Sequence, residues 1–550
     1  MPQPDAQPIR FCREPCPIGG RNELRSSEYG SGDRGHFRCW RPGPVLDFGH
    51  NIRIRAAGRR AERADRESEG VAMVATAPVR RKLVKCNDIR EYLRLLDGNG
   101  LLQRITAEVD LRYEVGAICS RALKRGGPAI SFENIKGYSG MPLVANLLGS
   151  VRHLAAAFGT DESEEQVYQA IVDGMRNRVA SVVLPTGPCK EEIARGDEVD
   201  LYKWPTPFWH EHDGGQYIAT TAGFITRNPE NGHYNMGSYR CMIKSKNEIS
   251  MAGGTRTPRD PGGGDHILMN EANGKPTPVA IVLGMDPYLS LATGSPVPMD
   301  ENGYAEYEAA GAWRGRPTEL VKCETSDLLV PAHAEIVLEG EVTPGARTEE
   351  GPHGESTGFY GENKSAFLIK IDCVTQRHNP VSYGLICQLI EDYPRSLLRS
   401  GSFQTLLIEK TGMTNIKHAY FPEVGRFGMM IVSAEIRDAD EPRRIMDAVW
   451  EHGDWRWVIV VDQDCDVRDW DDVMWRVVST AEPERHVVLG KERKRRSARR
   501  TDEDDFDPPS RGMGIDATMP FKGVKYPRVN IVGADLMREI TGRWKEYGLP

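Results

Sequence analysis

No run of about 18 consecutive apolar residues occurs in this chain, which excludes a conventional membrane-spanning helix. Excess positive charge is also missing. The net charge is −8, which argues against a dedicated nucleic-acid binder. Paired cysteine motifs are absent: the eleven cysteines are scattered, and none forms a CxxC pair. That distribution fits reduced, mostly buried thiols in a cytoplasmic protein rather than a disulfide framework. Residues 1–72 contain no lysine and no sustained apolar period, only arginine, glycine and mixed charge. They have neither the apolar core of a secretory signal nor the acid-poor composition of a presequence. The expectation is a disordered extension translated from an upstream start, with Met73 as the natural beginning.

The remaining length suits several domains of a mixed α/β fold, with no internal repeat. An N-terminal α/β domain is expected over 73–205. Asp88 caps a helix through Tyr92, Leu93 and Leu96, ITAEVDL reads as a strand, and EVGAICSRALKRG and EEQVYQAIVDGMRNR read as helices. Residues 206–375 are strand-rich, with turns dense in Gly, Pro and Asn, which fits a β-barrel-like core. Strands and helices alternate again in a C-terminal α/β domain over 376–520. A helical tail over 521–550 carries apolar residues at Leu536, Ile540 and Trp544.

Two acids five residues apart, Glu350 and Glu355, flank Gly-Pro-His-Gly in the string EGPHGESTGFYG. Gly351, Pro352 and Gly354 predict a turn that doubles the chain back and brings both carboxylates to one pocket. Two acids forced together cannot both ionise freely, which equips the pair for acid–base chemistry. Upstream, the segment NMGSYR supplies Asn235, a neutral oxygen suited to a hard cation, and Arg240, a planar fork for a carboxylate. Glu306, in EYEAAG, adds a further hard oxygen ligand.

With these motifs in order, and with GPCKEEIARGDEVDLYKWPTPFWHEHDGGQYIATTAGFITRNPENG, TPVAIVLGMDP, ELVKCETSDLLVPAHAEIVLEGEV and GMGIDAT beside them, the chain resembles the UbiD family of decarboxylases, which use prenylated FMN. The resemblance covers most of the chain. It implies a flavin held in a split β-barrel, and a network in which Arg240 pairs with Glu350 and orients the substrate carboxylate. Glu355 would then deliver the proton that replaces carbon dioxide. Such chemistry needs an electron sink that no side chain offers, which a cofactor provides. The resemblance further implies a metal at the flavin phosphate, Mn2+ (or Mg2+) accompanied by K+, on Asn235 and Glu306. The family's third ligand is a histidine shortly after the arginine, and here the sequence departs: no histidine occurs until His266. Either the Gly/Pro-rich loop brings His266 back, or Arg256 meets the phosphate directly. Gly294 and Ser295 resemble a flavin-edge loop, Met236 and Ser238 lie inside NMGSYR, and Lys522 is a candidate flavin or phosphate contact.

The activity implied is reversible non-oxidative decarboxylation of an aromatic or α,β-unsaturated acid. A separate flavin prenyltransferase would supply the cofactor, and dimers or hexamers would be the assembly. Alternatives are the polyprenyl-hydroxybenzoate decarboxylase of quinone synthesis, a flavin-binding subunit without activity, and a flavin reductase. His210, His212 and Asp213 in WHEHDGG have metal-like spacing, but His-x-His is also alternate residues on one strand face. His353 reads as a solvent-facing or hydrogen-bonded turn histidine. The basic and acidic blocks of KERKRRSARRTDEDDFD read as a self-neutralising loop rather than a nucleic-acid patch.

Overall fold

The computed structural model describes residues 86–548, except 125, 254–260, 295, 296, 298, 300, 357, 388–392, 426–427, 454, 493–510, 520–531 and 533. The 1–72 extension, Arg256, Ser295, Lys522 and most of the 491–507 charge run therefore lie outside the described residues. All described residues belong to the unit Ala77–Pro550. None of the described helices is long and apolar enough to cross a membrane.

Helix Ile89–Gly98 begins as its sequence dictates. The Asp88 side chain accepts the backbone N–H of Glu91 at 2.7 Å, and Ile89, Tyr92 and Leu96 form the buried stripe. Helices Glu114–Leu123 and Glu164–Arg176 fall where apolar spacing puts them. ITAEVDL, however, is not a strand. The strand is Leu102–Ile105, parallel to Ala129–Phe132, and Val109 makes only an isolated bridge to Ile135. Pairing with a partner, rather than alternation alone, decided which apolar residues entered the sheet. That sheet continues through Leu143–Ala145 to Ser382–Tyr383, so the chain returns to it after completing the next sheet.

Among the described residues the central sheet has ten strands. Its main path runs Tyr217–Ala219, Cys241–Ser245, Glu248–Met251, Tyr360–Gln376, Ile336–Val342, Thr277–Leu283, Gly223–Arg227 and Tyr234–Gly237, with Arg347–Gly354 and Glu192–Arg195 also paired to the long Tyr360–Gln376 strand. The two end strands are short and do not pair with each other, so the expected split barrel is met to the extent of a half-barrel. Alternation buries both faces. Val279, Ile281 and Leu283 join Phe224, Leu338 and Ile369 on one side, while Ala280 and Val282 join Tyr288, Tyr307 and Trp313 on the other. Each fully buried Ile or Leu contributes roughly 1.5–3 kcal/mol, so burial on both sides stabilises this sheet. A C-terminal five-stranded sheet follows, ordered Ile416–Tyr420, Met429–Ala434, Trp457–Asp462, Met513–Asp516 and Val487–Leu489. Asp516 accepts both the backbone N–H and the hydroxyl of Thr518, a local turn bond. Leu536 in helix Ala534–Gly542 and Trp544 beyond it are exposed, and Ile540 is half-buried.

Candidate active site

The acidic string departs from its expected form. Gly-Pro-His-Gly is not a turn but the irregular end of strand Arg347–Gly354, and the reversal comes later, between Glu355 and Phe359. Register shifts between Thr348 and Glu350, and again between Glu350 and His353, throw the strand out of its regular pleat. Gly351 sits at φ 104°, a conformation barred to side chains with a Cβ. The bulged strand and the hairpin beyond it, rather than a tight turn, bring the two carboxylates together.

Arg240, just before strand Cys241–Ser245, receives both. Its Nε and Nη2 donate to Oε1 and Oε2 of Glu350 at 2.8 and 2.7 Å, a bidentate fork, and its Nη1 donates to Oε1 of Glu355. A fourth, longer bond runs from Nη2 to the Gly361 carbonyl at 3.3 Å. The Glu350 side chain is fully buried, whereas that of Glu355 is 20% exposed. Burial works against the Arg240 charge, but the Glu350 hydrogen bonds and the two carboxylate charges outweigh it and raise its pKa above the usual arginine range. The three residues singled out from the sequence thus converge, with two carboxylates sharing one guanidinium.

Sequence reading missed the frame around them. The Tyr217 hydroxyl donates to Oε1 of Glu350 at 2.7 Å, and burial, reinforced by Glu350, drives the phenol pKa far up, so it remains a donor. WHEHDGG carries no metal cluster; no group of three or more His, Cys, Asp and Glu among the described residues is placed to hold an ion. Its work is mechanical. Asp213 accepts backbone N–H groups from Trp209, His210 and Gly354 at 3.0, 2.9 and 3.0 Å. Gly214 donates to the Pro352 carbonyl at 2.7 Å, and a Cβ on Gly214 would lie 2.0 Å from the Gly351 oxygen. Only glycine allows this approach. His353 is neither solvent-facing nor hydrogen-bonded. It is 1% exposed, both ring nitrogens lack a hydrogen-bond partner, and the ring lies 4.1 Å from that of Tyr217. Burial, aided by Arg240, pushes its pKa down to about 3, so the ring is neutral at ordinary pH.

A second cluster lies at the other end of the sheet. Asn235 faces Thr226 across paired strands, so their side chains share a face, and Thr226 Oγ1 lies 2.9 Å from Nδ1 of His266. Helix Gly263–Ala272 thus sets His266 against Thr226, the cross-strand partner of Asn235. His266 is buried and its pKa is pushed down to about 4, leaving the neutral form that binds metals. Asn235 Nδ2 is buried without a hydrogen-bond partner. Glu306, also buried, opens helix Ala305–Arg314. Just before that helix, the Gly303 carbonyl accepts the Tyr234 N–H at 2.8 Å and Tyr304 stacks on Tyr234 at 5.0 Å. The helix that carries Glu306 thus packs beside Tyr234, the strand neighbour of Asn235. A neutral imidazole, an amide with an orphaned polar end and a buried acid suit a divalent ion and a phosphate.

Ser238 donates its N–H to the Thr293 carbonyl at 3.0 Å, tying NMGSYR to the loop that carries Gly294. The Met236 side chain instead belongs to the core with Met285 and Val282, so only its backbone is left for a ligand.

Comparison with known proteins matches three adjoining family models. These are the N-terminal domain of 3-octaprenyl-4-hydroxybenzoate carboxy-lyase over residues 93–173, its Rift-related domain over 181–388 and its C-terminal domain over 400–517. An evolved dimeric form of the UbiD-class enzyme HmfF from Pelotomaculum thermopropionicum, in complex with prFMN, is similar with a TM-score of 0.70 and 29% identity, covering 82% of this chain and 98% of that one. Vanillic acid decarboxylase of Sedimentibacter hydroxybenzoicus in its open form gives a TM-score of 0.73 and 28% identity, covering 85% and 100%. The apo 3,4-dihydroxybenzoic acid decarboxylase of Enterobacter cloacae, at 24% identity over 81% and 98% with a TM-score of 0.71, shares the fold.

Proposed function

We propose that this chain, which belongs to the UbiD family of carboxy-lyases, reversibly and non-oxidatively decarboxylates an aromatic or α,β-unsaturated carboxylic acid with the help of prenylated FMN. The observation that carries the reading is the sharing of Arg240 by Glu350 and Glu355. The prFMN-bound relative supports the choice of cofactor, and the vanillic acid decarboxylase supports an aryl acid. When bound, the cofactor supplies the electron sink that no side chain provides. Asn235, His266 and Glu306 would hold a divalent ion, Mn2+ or Mg2+, against its phosphate, with K+ nearby, and the backbone at Met236, Ser238 and Gly294 would line the flavin. A separate flavin prenyltransferase would supply the cofactor, and a homodimer or homohexamer is the expected assembly.

The residues of the chain account for the rest. A guanidinium has five N–H donors, and four of those on Arg240 are engaged, leaving one on Nη1 beside Glu355. That donor meets the substrate carboxylate. Glu355 then delivers its proton to the carbon that carbon dioxide leaves, ends as carboxylate, and regains a proton from water through its exposed edge. Glu350, locked by two arms of Arg240, stays in place throughout.

The intact trio weighs against a flavin reductase or an inactive flavin-binding subunit. A prenylated hydroxybenzoate substrate has the description of the family models in its favour. The test is protein co-expressed with a flavin prenyltransferase, assayed for cofactor mass and absorbance and then for deuterium incorporation from heavy water into a panel of aryl, cinnamyl-type and prenylated hydroxybenzoic acids. Prenylated FMN with exchange into at least one acid supports the reading. Unmodified flavin only, with no exchange into any acid, overturns it.

A further inference from the structure

Two carboxylates around one guanidinium pose a question of assignment: which one carries the charge and which the proton. The surroundings of the pair are unequal. Glu350 is wholly buried and takes three charge-favouring donors, Arg240 Nε, Arg240 Nη2 and the Tyr217 hydroxyl. Hydrogen bonds to a carboxylate stabilise its charged form, and more so out of water. The Tyr217 phenol has no freedom to do anything else. It lies in the core, its ring is flanked by the neutral His353 ring, and the other acid nearby, Asp213, is taken up by three backbone N–H groups.

Resting on the decarboxylase reading above, we propose that Tyr217 is a positioning residue that divides labour between the acids: its hydroxyl ties Glu350 to the ionised, Arg240-paired state, so that the transferable proton resides on Glu355. The bond pattern gives the reason in charge terms. With Glu350 ionised, Arg240 is neutralised in place, and a neutral Glu355 lets an anionic substrate enter without meeting a second full negative charge. Without the hydroxyl, the proton is shared between the acids, and the fraction of enzyme holding it at Glu355, where the substrate carbon sits, falls.

Tyr217→Phe is the test, since it keeps the ring against His353 and removes only the donor. The expected result in holoenzyme is kcat at least tenfold lower, KM within twofold, and flavin content and Tm unchanged. A purely structural Tyr217 would instead lower Tm and flavin content, and either that pattern or unchanged kcat overturns the proposal. A second readout uses apo protein with glutamate 13C-labelled at the side-chain carboxyl, the two signals being assigned from Glu350→Gln and Glu355→Gln. Displacement of both carboxyl signals in Tyr217→Phe supports a shared proton, whereas displacement of the Glu350 signal alone, or of neither, overturns it. Because this readout needs no turnover, failure of the decarboxylase reading (wild type inactive on every acid) is told apart from failure of the Tyr217 assignment.

Discussion

Asp213 accepts the backbone N–H of Gly354 at 3.0 Å, across 141 residues of sequence, and so fastens the acidic strand to the arm that carries Tyr217. Its carboxylate is fully buried, and every partner named above is a backbone donor. Asp213→Asn places an amide N–H2 against one of those donors and is expected to cost about 2–3 kcal/mol at pH 7. The pH dependence has a definite sign. Burial works to raise the Asp213 carboxyl, but the His210 contact, His353 and the backbone N–H groups outweigh it and hold its pKa below 3.8. A depressed folded-state value means the contribution is present above the unfolded value and is lost as pH falls through the folded one. The difference in unfolding free energy between wild type and Asp213→Asn, measured by denaturant titration, therefore holds from pH 7 to about 4 and shrinks below that.

His353 acts in the same direction, over a higher pH window. Its folded pKa of about 3 lies below the 6.5 of a free histidine, so between those values the unfolded chain holds one more proton than the fold. Stability then falls on acidification by up to about 1.4 kcal/mol per pH unit from this group alone. His353→Phe keeps the ring beside Tyr217 and discards two unsatisfied nitrogens. It is expected to leave stability at pH 7 unchanged or higher, and to flatten the pH dependence of unfolding between pH 6.5 and about 4 by roughly one proton.

Gly361 leaves room for the Glu355 carboxylate. A Cβ there would lie 2.8 Å from Glu355 Oε1 and 3.2 Å from Arg240 Nη1. Both are ends of flexible side chains, so the fold tolerates the methyl while the acid is displaced. Gly361→Ala is expected to lower kcat at least tenfold with Tm within about 2 °C of wild type. Unchanged kcat would place the proton-delivering group elsewhere.

The second cluster is tested by composition rather than rate. Glu306→Ala and His266→Ala are expected to lose bound metal, and with it flavin, measured by elemental analysis and flavin absorbance of the purified protein. Retention of both at wild-type ratios would remove these residues as ligands.

Much of this was legible in the chain. Glu350 and Glu355 stood out as two acids flanking a Gly/Pro-rich string and Arg240 as a planar fork in NMGSYR, and the central region showed as strand-rich runs between turns dense in Gly, Pro and Asn. What escaped depended on partners distant in sequence. ITAEVDL alternates like a strand but finds no ladder, while Leu102–Ile105 finds Ala129–Phe132. EGPHGE has the composition of a turn, yet pairing with Tyr360–Gln376 makes it a bulged strand. Tyr217 carries no local signature, because a tyrosine in YIATT is ordinary until the fold sets it against Glu350, and Asp213 stood out only for metal-like spacing, not for its bond to Gly354. The one local clue was Gly214, whose missing Cβ records the close approach of another backbone.

The most direct test of the account is Glu355→Gln in cofactor-loaded protein, followed by deuterium incorporation into the best aryl acid of the panel. The variant is expected to retain flavin and metal at wild-type levels while exchange falls at least a hundredfold, since the amide has no proton of suitable acidity to give. Exchange at the wild-type rate with cofactor intact would contradict the assignment of the proton to this acid, and with it the central claim that one guanidinium and two acids carry out the reaction.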